Sequence, residues 1–328
     1  MDDVMSNKKF VIVGAGGSGF YDHAFADVMS LPNVEYIRYT DQCNTSVKAQ
    51  KIVKYCSSYN PSYFSQKAVA AISGLSLFGN RFPDDENIVY LFTSRIDRLI
   101  GTALWSRFRR SHKKSKCVLY LFDIAATYHY LGRHELESMF DLIISYDQSD
   151  AEKNGWLYYP TPFSSVKGIQ SDLPESDVYF CGSCKNRLKA IYDIYERLRM
   201  ENLRCDFFLY GVKPEDQIYP EINYDKFLSY RNNLRHVLSS RSELEIMQQG
   251  AQGFTPRLWE SLSFGKHLLS NNHSIRGSRF YIENAIHFID EIASFSQIID
   301  KKTIIPSVLV ESMSPLCLLE YISKALDK

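Results

Sequence analysis

The chain lacks long apolar runs and an excess of charge. No uninterrupted apolar run among its 328 residues approaches the ~18 residues that a membrane-spanning helix needs. Lys and Arg number 38 and Asp and Glu number 38, so the formal net charge is zero and nothing global favours a nucleic-acid partner. Residues Met1 to Lys9 are polar and predict neither a signal peptide nor an anchor. We therefore expect a cytoplasmic protein with no nucleic-acid partner.

Metal-ligand patterns are also scarce. The seven cysteines are an odd number scattered over a long chain, which does not suggest a disulfide framework. Cys181-Gly182-Ser183-Cys184 is a C-x-x-C motif, but no second pair or close histidine pair completes a zinc site. No D-x-D motif is present. We interpret the C-x-x-C as a tight turn after a strand, in preference to a redox or zinc motif, and predict that no metal is required.

What the chain does contain is an alternation of strand-like and helical segments. This pattern, with 45% hydrophobic and 23% charged residues, predicts a soluble α/β protein with doubly wound parallel sheets. The predicted strands are 10–13, 34–39, 87–92, 117–122, 140–146, 177–181, 205–210, 236–239, 243–247, 267–270 and 285–289. The predicted helices include 65–77, 186–200 and 256–264.

Proline, serine and glycine are concentrated between Tyr159 and Ser176, which predicts a linker. We expect an N-terminal domain over residues 1–165 and a second domain over 166–306. Residues 307–328 are predicted to form a final helix that returns toward the first domain. Two doubly wound domains would hold a ligand in a cleft, at the carboxyl ends of both sheets.

A glycine-rich turn follows the first predicted strand. Gly14-Ala15-Gly16-Gly17-Ser18-Gly19 satisfies G-x-G-x-x-G, a turn that lets backbone N–H groups approach a phosphate. Asp41, 22 residues beyond Gly19, stands where a dinucleotide enzyme would hold the ribose. An NAD(P)-dependent oxidoreductase is therefore one alternative.

The second half carries a different set of candidate ligand groups. Lys185 and Arg187 are expected to begin a helix, where cations oppose the helix dipole unless they share an anion such as a diphosphate. Further on, Thr255 is a predicted N-cap and Pro256 suits the first turn of a helix. Glu260 would lie on that apolar helix, where a buried carboxylate needs a polar partner such as a ribose diol.

The stretch from Gln252 to Lys266 resembles the donor-domain signature E-G-F-G-x-P-x-x-E-A of GT-B glycosyltransferases. Gln252, Thr255 and Glu260 occupy its first Glu, second Gly and final Glu positions. Over about residues 140 to 290 the pattern is similar to enzymes of bacterial lipopolysaccharide-core and capsule assembly. The resemblance implies that the final Glu binds the ribose of a nucleotide-sugar and that a basic pair binds the diphosphate. The predicted donor-binding residues are Lys185, Arg187, Tyr210, Gly211, Gln252, Gly253, Thr255, Arg257 and Glu260.

The resemblance also implies the reaction, which is transfer of a hexose or deoxyhexose to a bacterial surface glycan such as lipopolysaccharide core. Many retaining members have a carboxylate where this chain has Gln252, and an amide cannot act as a base. Retention or inversion therefore stays open. For an inverting enzyme the candidate bases are Asp123, His23 and Asp22, and the predicted acceptor-binding residues are Gly16, Gly17, Ser94 and Arg95. A non-catalytic nucleotide- or glycan-binding GT-B protein is the other alternative.

A cationic segment lies in the first half of the chain. Six cations fall between Arg107 and Lys116, beside Trp105 and Phe108. Such a segment suits docking to an anionic membrane surface at the inner face of the plasma membrane, and it resembles no nucleic-acid-binding motif. The solvated end of a core helix is the alternative. The residues predicted to contact the membrane are Arg107, Arg109, Arg110, Lys113 and Lys114.

Overall fold

The structure is a computed structural model that forms two compact α/β units. It describes residues 7–14, 19–38, 51, 68, 82–93, 103–125, 133–165, 168–248, 251 and 253–328. The first unit contains the described residues of 7–14 and 21–160 together with Pro315–Lys328, and the second contains Gly19, Phe20 and the described part of Thr161–Ser314. Each unit is built on one parallel sheet.

The sheet of the first unit has the order β2-β1-β3-β4-β5-β6 over the described residues. Its central strands are almost wholly buried, as expected of a parallel sheet covered on both faces. Aromatic side chains fill much of the core beside the aliphatic ones. The strands are β1 (Lys9–Gly14), β2 (Val34–Arg38), β3 (Ile88–Thr93), β4 (Lys116–Leu121), β5 (Leu142–Ser145) and β6 (Leu157–Tyr158). The helices are α1 (Phe20–Ala24), whose first residue belongs to the second unit, α2 (Ala103–Ser111), α3 (Arg133–Met139) and α4 (Gln148–Asn154).

The sheet of the second unit has the order β9-β8-β7-β10-β11-β12, and every pair is parallel. This is the strand order of a dinucleotide-binding domain, in which the direction of winding reverses between the first and fourth strands. The strands are β7 (Ser176–Ser183), β8 (Cys205–Tyr210), β9 (Asn223–Tyr224), β10 (Ser240–Glu245), β11 (His267–Ser270) and β12 (Ile286–Phe288). The helices are α5 (Leu188–Met200), α6 (Tyr230–Ser239), α7 (Pro256–Phe264), α8 (Phe295–Ile299) and α9 (Ser307–Glu311).

These two sheets confirm the predicted α/β class with parallel, doubly wound architecture. The predicted strand over 236–239 is wrong, because these residues form the end of α6. Ser229 caps that helix by accepting from the Asn232 amide at 3.3 Å, and Leu234 and Val237 are buried three residues apart. The predicted helix 65–77 lies outside the described residues apart from Ala68.

The segment predicted as a linker is packed against the second unit. Phe163 and Ser164 are fully buried, and Phe163 N donates to Met313 O at 2.8 Å. The Thr161 hydroxyl donates to Phe254 O at 3.2 Å. The main segment of the second unit starts at Thr161, and Phe163 is an integral part of its core.

The C-terminal region differs from the single helix predicted over 307–328. A short helix, α9, ends at Glu311, and a separate helix α10 (Pro315–Leu326) follows. Pro315, which lacks an N–H, suits the first turn of α10. Residues from Pro315 onward belong to the first unit, where Lys8 Nζ lies 2.6 Å from Asp327 Oδ1.

Gly14, at the end of β1, is required by a close approach within the first unit. A Cβ atom there would lie 2.0 Å from the Tyr36 hydroxyl oxygen, a distance that no side chain tolerates. The Tyr36 hydroxyl donates to Asp22 at 2.8 Å. The first glycine of the G-x-G-x-x-G pattern thus makes room for a tyrosine of β2.

The aromatic residues of the basic segment face the core. Trp105 and Phe108 on α2 are buried and contact Phe92 with ring centroids 5.2 and 6.0 Å apart. The expectation that they form an aromatic edge for membrane docking is therefore wrong, because the core of the first unit takes them up. Arg109 donates to the Cys117 sulfur at 2.8 Å. Arg110, Lys113 and Lys114 are exposed. No helix among the residues that the structure describes is both long enough and apolar enough to cross a bilayer.

Candidate functional site

A pocket opens at the carboxyl edge of the second sheet. Its volume is about 420 Å³, within the range of small-molecule sites. It lies where β7 and β10 meet, at the reversal point of the sheet, which is where open α/β sheets bind ligands. We call it the carboxyl-edge pocket. All of its lining residues belong to the second unit: Phe20, Cys181, Ser183, Tyr210, Phe227, Leu228, Tyr230, Asn233, Glu243, Pro256, Arg257 and Glu260.

Helix α7 presents Glu260 to this pocket. The helix begins at Pro256 with Thr255 as its N-cap, whose hydroxyl accepts from the Arg257 amide at 3.3 Å, and this confirms the predicted cap. Glu260 is only 3% exposed. Its Oε1 atom accepts from the Tyr230 hydroxyl at 2.6 Å and from the Asn233 amide at 3.2 Å. The carboxylate is therefore held in place from α6.

A second buried carboxyl group, Glu243 on β10, lies against Glu260. Glu243 is 1% exposed, it lines the same pocket as Glu260, and its Oε2 atom accepts from the Ser261 hydroxyl at 3.1 Å. Burial, followed by the neighbouring Glu260 carboxylate, raises the pKa of Glu243 well above its usual value. Two carboxyl groups this close cannot both ionise without a large cost.

Two arginines converge beside the pocket over Gly182 of β7. Arg257 donates to Cys181 O, and its guanidinium carbon lies 5.1 Å from the Phe180 ring centroid. Arg187 donates to Ile246 O and, at 3.1 Å, to Ser183 O. Burial, followed by the nearby Arg257 cation, lowers the pKa of Arg187 to about 10. Such a cationic pair is suited to a doubly charged anion.

The loop before α7 is pinned by polar contacts around Glu245. Glu245, at the end of β10, accepts from the hydroxyls of Thr255 and Ser270. The Asn272 side-chain amide donates to Gly253 O at 3.1 Å, and the Asn272 backbone N–H donates to the Ser270 hydroxyl at 2.9 Å. Thr255 and Gly253 therefore shape the loop and do not line the pocket.

The other predicted donor-side residues occupy different positions. Tyr210 lines the pocket, and its hydroxyl donates to Lys226 O at 2.6 Å. Gly211, with φ of 71°, follows β8, and its amide donates to Asp225 at 2.9 Å. Lys185 is exposed and has φ of 40°. Helix α5 begins only at Leu188 with Arg187 as N-cap, so the two cations precede the helix and do not begin it. Gln252 lies outside the described residues.

Gly182 leaves room for both guanidinium groups, which yields a prediction. A Cβ atom at this position would lie 2.7 Å from Arg257 Nη2 and 3.2 Å from Arg187 Nη2. In Gly182→Ala the arginines must move by a few tenths of an ångström, whereas the backbone need not. We expect about a tenfold weaker affinity for a nucleoside diphosphate, measured by calorimetry, with little change in melting temperature. Gly277→Ala, where a Cβ meets nothing within 4 Å, is the control, and equal affinities in the two variants would contradict the prediction.

A larger cavity of about 790 Å³ lies at the opposite, amino-terminal edge of the second sheet. Helices α6 and α7 end there, so their last carbonyl groups face it and attract cations. Lys266 donates to Leu238 O at 2.7 Å, and the Arg241 guanidinium lies 2.8 Å from Asp300. These cations are occupied in closing helix ends and in ion pairs. The larger volume of this cavity is therefore not enough to identify it as the functional site.

The candidate bases all belong to the first unit. Asp123 follows β4 by two residues, and its carboxylate accepts from the Ile124 amide at 3.0 Å. His23 and Asp22 lie on α1, and Asp22 accepts from Tyr36. Asp123 therefore follows β4, whereas Asp22 and His23 follow β1, and strand β3 lies between these two strands in the sheet. The predicted acceptor residues Gly16, Gly17, Ser94 and Arg95 lie outside the described residues.

The C-x-x-C motif ends strand β7. Cys181 and Cys184 are free thiols; Cys184 donates to Gly211 O at 2.8 Å, and burial raises the pKa of Cys181. Among the residues that the structure describes, no group of three or more His, Cys, Asp or Glu side chains could hold a metal ion.

Known proteins share the fold but not the sequence. The chain matches no protein-family model and no curated protein. An alpha-glucosyltransferase in complex with UDP and a mismatched 13-mer DNA matches with a TM-score of 0.52 and 11% identity over 98% of this chain and 94% of that chain. A trehalose-phosphate synthase (UDP-forming) from Burkholderia xenovorans matches with a TM-score of 0.52 and 10% identity over 98% of this chain and 100% of that chain. A putative UDP-N-acetylglucosamine 2-epimerase from Listeria monocytogenes matches with a TM-score of 0.52 and 10% identity over 98% of both chains.

The chain has a GT-B-like fold. This agrees with the architecture that the resemblance of residues 252–266 implied. At about 10% identity the likeness concerns the fold alone, so the reaction rests on the residues of the carboxyl-edge pocket.

Of the residues that line this pocket, the sequence reasoning assigned only Tyr210, Arg257 and Glu260 to the donor site. The polar residues that it missed include Tyr230, Asn233 and Glu243. One signal was available. Glu243 and Glu245 flank Leu244 in a strand, and residues two apart face the same side of a sheet. Two acidic residues on one face of a buried strand require polar partners, which here come from α7 and the loop before it.

Proposed function

We propose that the chain is a GT-B-type glycosyltransferase that binds a nucleoside diphosphate sugar in the carboxyl-edge pocket. The observation that carries the proposal is the presence, in one pocket wall, of the Glu260 carboxylate and the Arg257 guanidinium. A buried carboxylate suits the hydroxyls of a ribose, and a guanidinium suits a diphosphate. The sequence resemblance assigns the same role to Glu260.

The diphosphate would be bound chiefly by Arg257, with Arg187 behind it. Arg257 lines the pocket, whereas Arg187 reaches the backbone at Ser183 and Ile246. Lys185 is proposed to assist from the exposed loop. Because positive charge near the leaving nucleotide stabilises the developing negative charge, we propose that transfer proceeds without a metal ion and predict that a chelator leaves it unchanged.

For the nucleotide we propose UDP as the first donor to examine, because the solved structures named above include two UDP-dependent transferases and a UDP-sugar epimerase. For the acceptor we propose a bacterial surface glycan such as lipopolysaccharide core, on the sequence resemblance alone. Asp123 is the proposed base for an inverting reaction. Contact with an anionic membrane would rest on the exposed charges Arg110, Lys113 and Lys114, since the neighbouring aromatic residues are buried.

A thermal-shift panel of UDP, GDP, dTDP, CMP and NADH tests the proposal. A ligand at about 100 times its Kd adds about 2.7 kcal/mol to the stability of the domain that binds it. We expect one nucleoside diphosphate to raise the melting temperature by about 5 °C or more. Stabilisation by NADH alone would overturn the proposal and favour the oxidoreductase. Binding of a nucleoside diphosphate with neither transfer nor hydrolysis of its sugar would favour the non-catalytic alternative, and conversion of the free UDP-sugar without an acceptor would indicate an epimerase.

A further inference from the structure

We propose that Glu243 is a positioning residue that acts as a neutral carboxylic acid and donates a hydrogen bond to Glu260. It thereby fixes the Glu260 carboxylate toward the carboxyl-edge pocket. This inference rests on the proposed function only for the identity of the ligand. The two buried carboxyl groups in one pocket wall are a feature of the second unit.

The hydrogen bonds assign the proton to Glu243. Glu260 Oε1 receives two donors, the Tyr230 hydroxyl at 2.6 Å and the Asn233 amide at 3.2 Å, and donors stabilise an anion. Glu243 receives a hydrogen bond from the Ser261 hydroxyl at 3.1 Å. An acid proton between the two groups therefore belongs to Glu243 and points to Glu260.

The Asn233 contact is itself held from the sheet. The Tyr179 hydroxyl donates to Asn233 Oδ1 at 2.9 Å, which turns the Asn233 amide nitrogen toward Glu260. Tyr179 and Glu243 are register partners on β7 and β10. Helix α6 thus supplies two donors to Glu260, and Tyr179 on β7 fixes the orientation of one of them.

The hydrogen bonds leave little freedom to Glu260. A carboxylate offers about four acceptor positions, and Tyr230, Asn233 and Glu243 fill three. One position is left for a hydroxyl of the ligand. Loss of the Glu243 proton would replace a donor by a like charge in a buried site, which would turn or displace the Glu260 carboxylate.

Among the groups that face Glu243, burial also raises the pKa of Glu245, whose carboxylate accepts from the Thr255 and Ser270 hydroxyls. Its titration is common to the wild type and to variants at position 243, so a difference between them reports Glu243. Burial raises the pKa of Tyr179, Tyr230 and Cys181 above their ordinary values. The register partner on β11 is the apolar Leu268. The charged and titratable groups that face Glu243 are Glu260 and Arg257 from α7, Tyr230 from α6, and Tyr179 and Cys181 from β7, with Glu245 on the same strand.

Two substitutions separate the neutral acid from an ionised one. In Glu243→Gln the amide group can still donate to Glu260 and accept from Ser261, with no charge to lose. In Glu243→Met the length is similar but the donor is absent. If Glu243 acts as a neutral donor, Gln should preserve its role and Met should not.

The experiment measures the affinity of the full chain for UDP by calorimetry over a series of pH values that rises from neutral into the alkaline range. In the wild type we expect affinity to fall as the pH rises, by at least the about tenfold loss expected of Glu243→Met, because deprotonation removes the same donor and adds a like charge. At the lowest pH, Glu243→Gln should bind UDP with the affinity of the wild type. As the pH rises, its affinity should lack the part of the decrease that Glu243 causes. Glu243→Met should bind about tenfold more weakly throughout. Equal weakening by Gln and Met, or a pH profile of Gln identical to that of the wild type, would overturn the proposal.

A ligand-free measurement keeps this test independent of the proposed function. A carboxyl group whose pKa is raised by folding contributes stability at low pH and loses it as the pH rises through its folded-state pKa. The melting temperature of the wild type should therefore fall with rising pH relative to that of Glu243→Gln. If UDP fails to bind at any pH while this difference appears, the proposed donor fails and the neutral Glu243 stands. If the two melting curves shift in parallel, the neutral Glu243 fails.

Discussion

Replacing Glu260 by Gln is expected to weaken the binding of the cognate nucleoside diphosphate by about 10- to 100-fold. The variant keeps the size of the side chain, and its amide oxygen can still accept from Tyr230 and Asn233, so the fold is preserved. What it loses is the negative charge. A hydrogen bond to a charged acceptor is worth about 1.5–3 kcal/mol, and 1.4 kcal/mol corresponds to a tenfold change. Calorimetric titration of the nucleoside diphosphate and of its parent nucleoside should show similar losses for both.

The matched control for this variant is Glu201→Gln. Glu201 also lies in the second unit and accepts four hydrogen bonds, but these come from Ser294, Phe295 and Ser296 at the start of α8. We expect this control to lower the melting temperature and to leave nucleotide affinity unchanged. If Glu260→Gln binds the nucleoside diphosphate with wild-type affinity, the ribose site does not lie on α7.

Replacing Arg257 by Ala is expected to reduce kcat/KM for sugar transfer by about 100-fold or more. Removal of one preorganised donor from a site where negative charge develops commonly costs that much, and Arg257 is placed by Cys181 O and the Phe180 ring. Because the guanidinium serves the diphosphate, the affinity for the parent nucleoside should not change. This pattern differs from that of Glu260→Gln, which weakens both ligands.

Arg197→Ala is a close control for Arg257→Ala. Arg197 donates to the backbone at Ile292 O, 3.1 Å away, and its guanidinium lies 4.8 Å from the Phe295 ring centroid. It thus shares with Arg257 a backbone carbonyl and an aromatic ring, but it does not line the carboxyl-edge pocket. We expect its loss to affect stability alone. An unchanged kcat/KM in Arg257→Ala, or equal losses in both variants, would contradict the assigned role.

Much of the second unit could be predicted from sequence, since its elements carry strong local signals. The strands Cys205–Tyr210 and His267–Ser270 and the helix Pro256–Phe264 have the predicted bounds. Dense apolar runs mark the strands, and Thr255, Pro256 and Gly265 mark the ends of the helix. Residues 236–239 were misassigned because a short apolar run fits either a strand or a helix end.

The pair of Glu243 and Glu260 was out of reach of the same reasoning. Its two members lie 17 residues apart in the chain, and they meet only because α7 packs on the face of β10 that carries Glu243. Local pattern predicts that a buried carboxyl needs a partner. Which partner it finds depends on how the helix is rotated against the sheet, and periodicity does not specify that rotation.

The discontinuous first unit has a consequence for folding during synthesis. Domains generally fold as they emerge from the ribosome, beginning at the amino terminus. Here helix α10 belongs to the first unit but is made after the second unit, with Lys8 paired to Asp327. The second unit is complete once Ser314 has been made. The first unit must wait for the final helix, so the second unit can reach its native state before the unit that precedes it in the sequence.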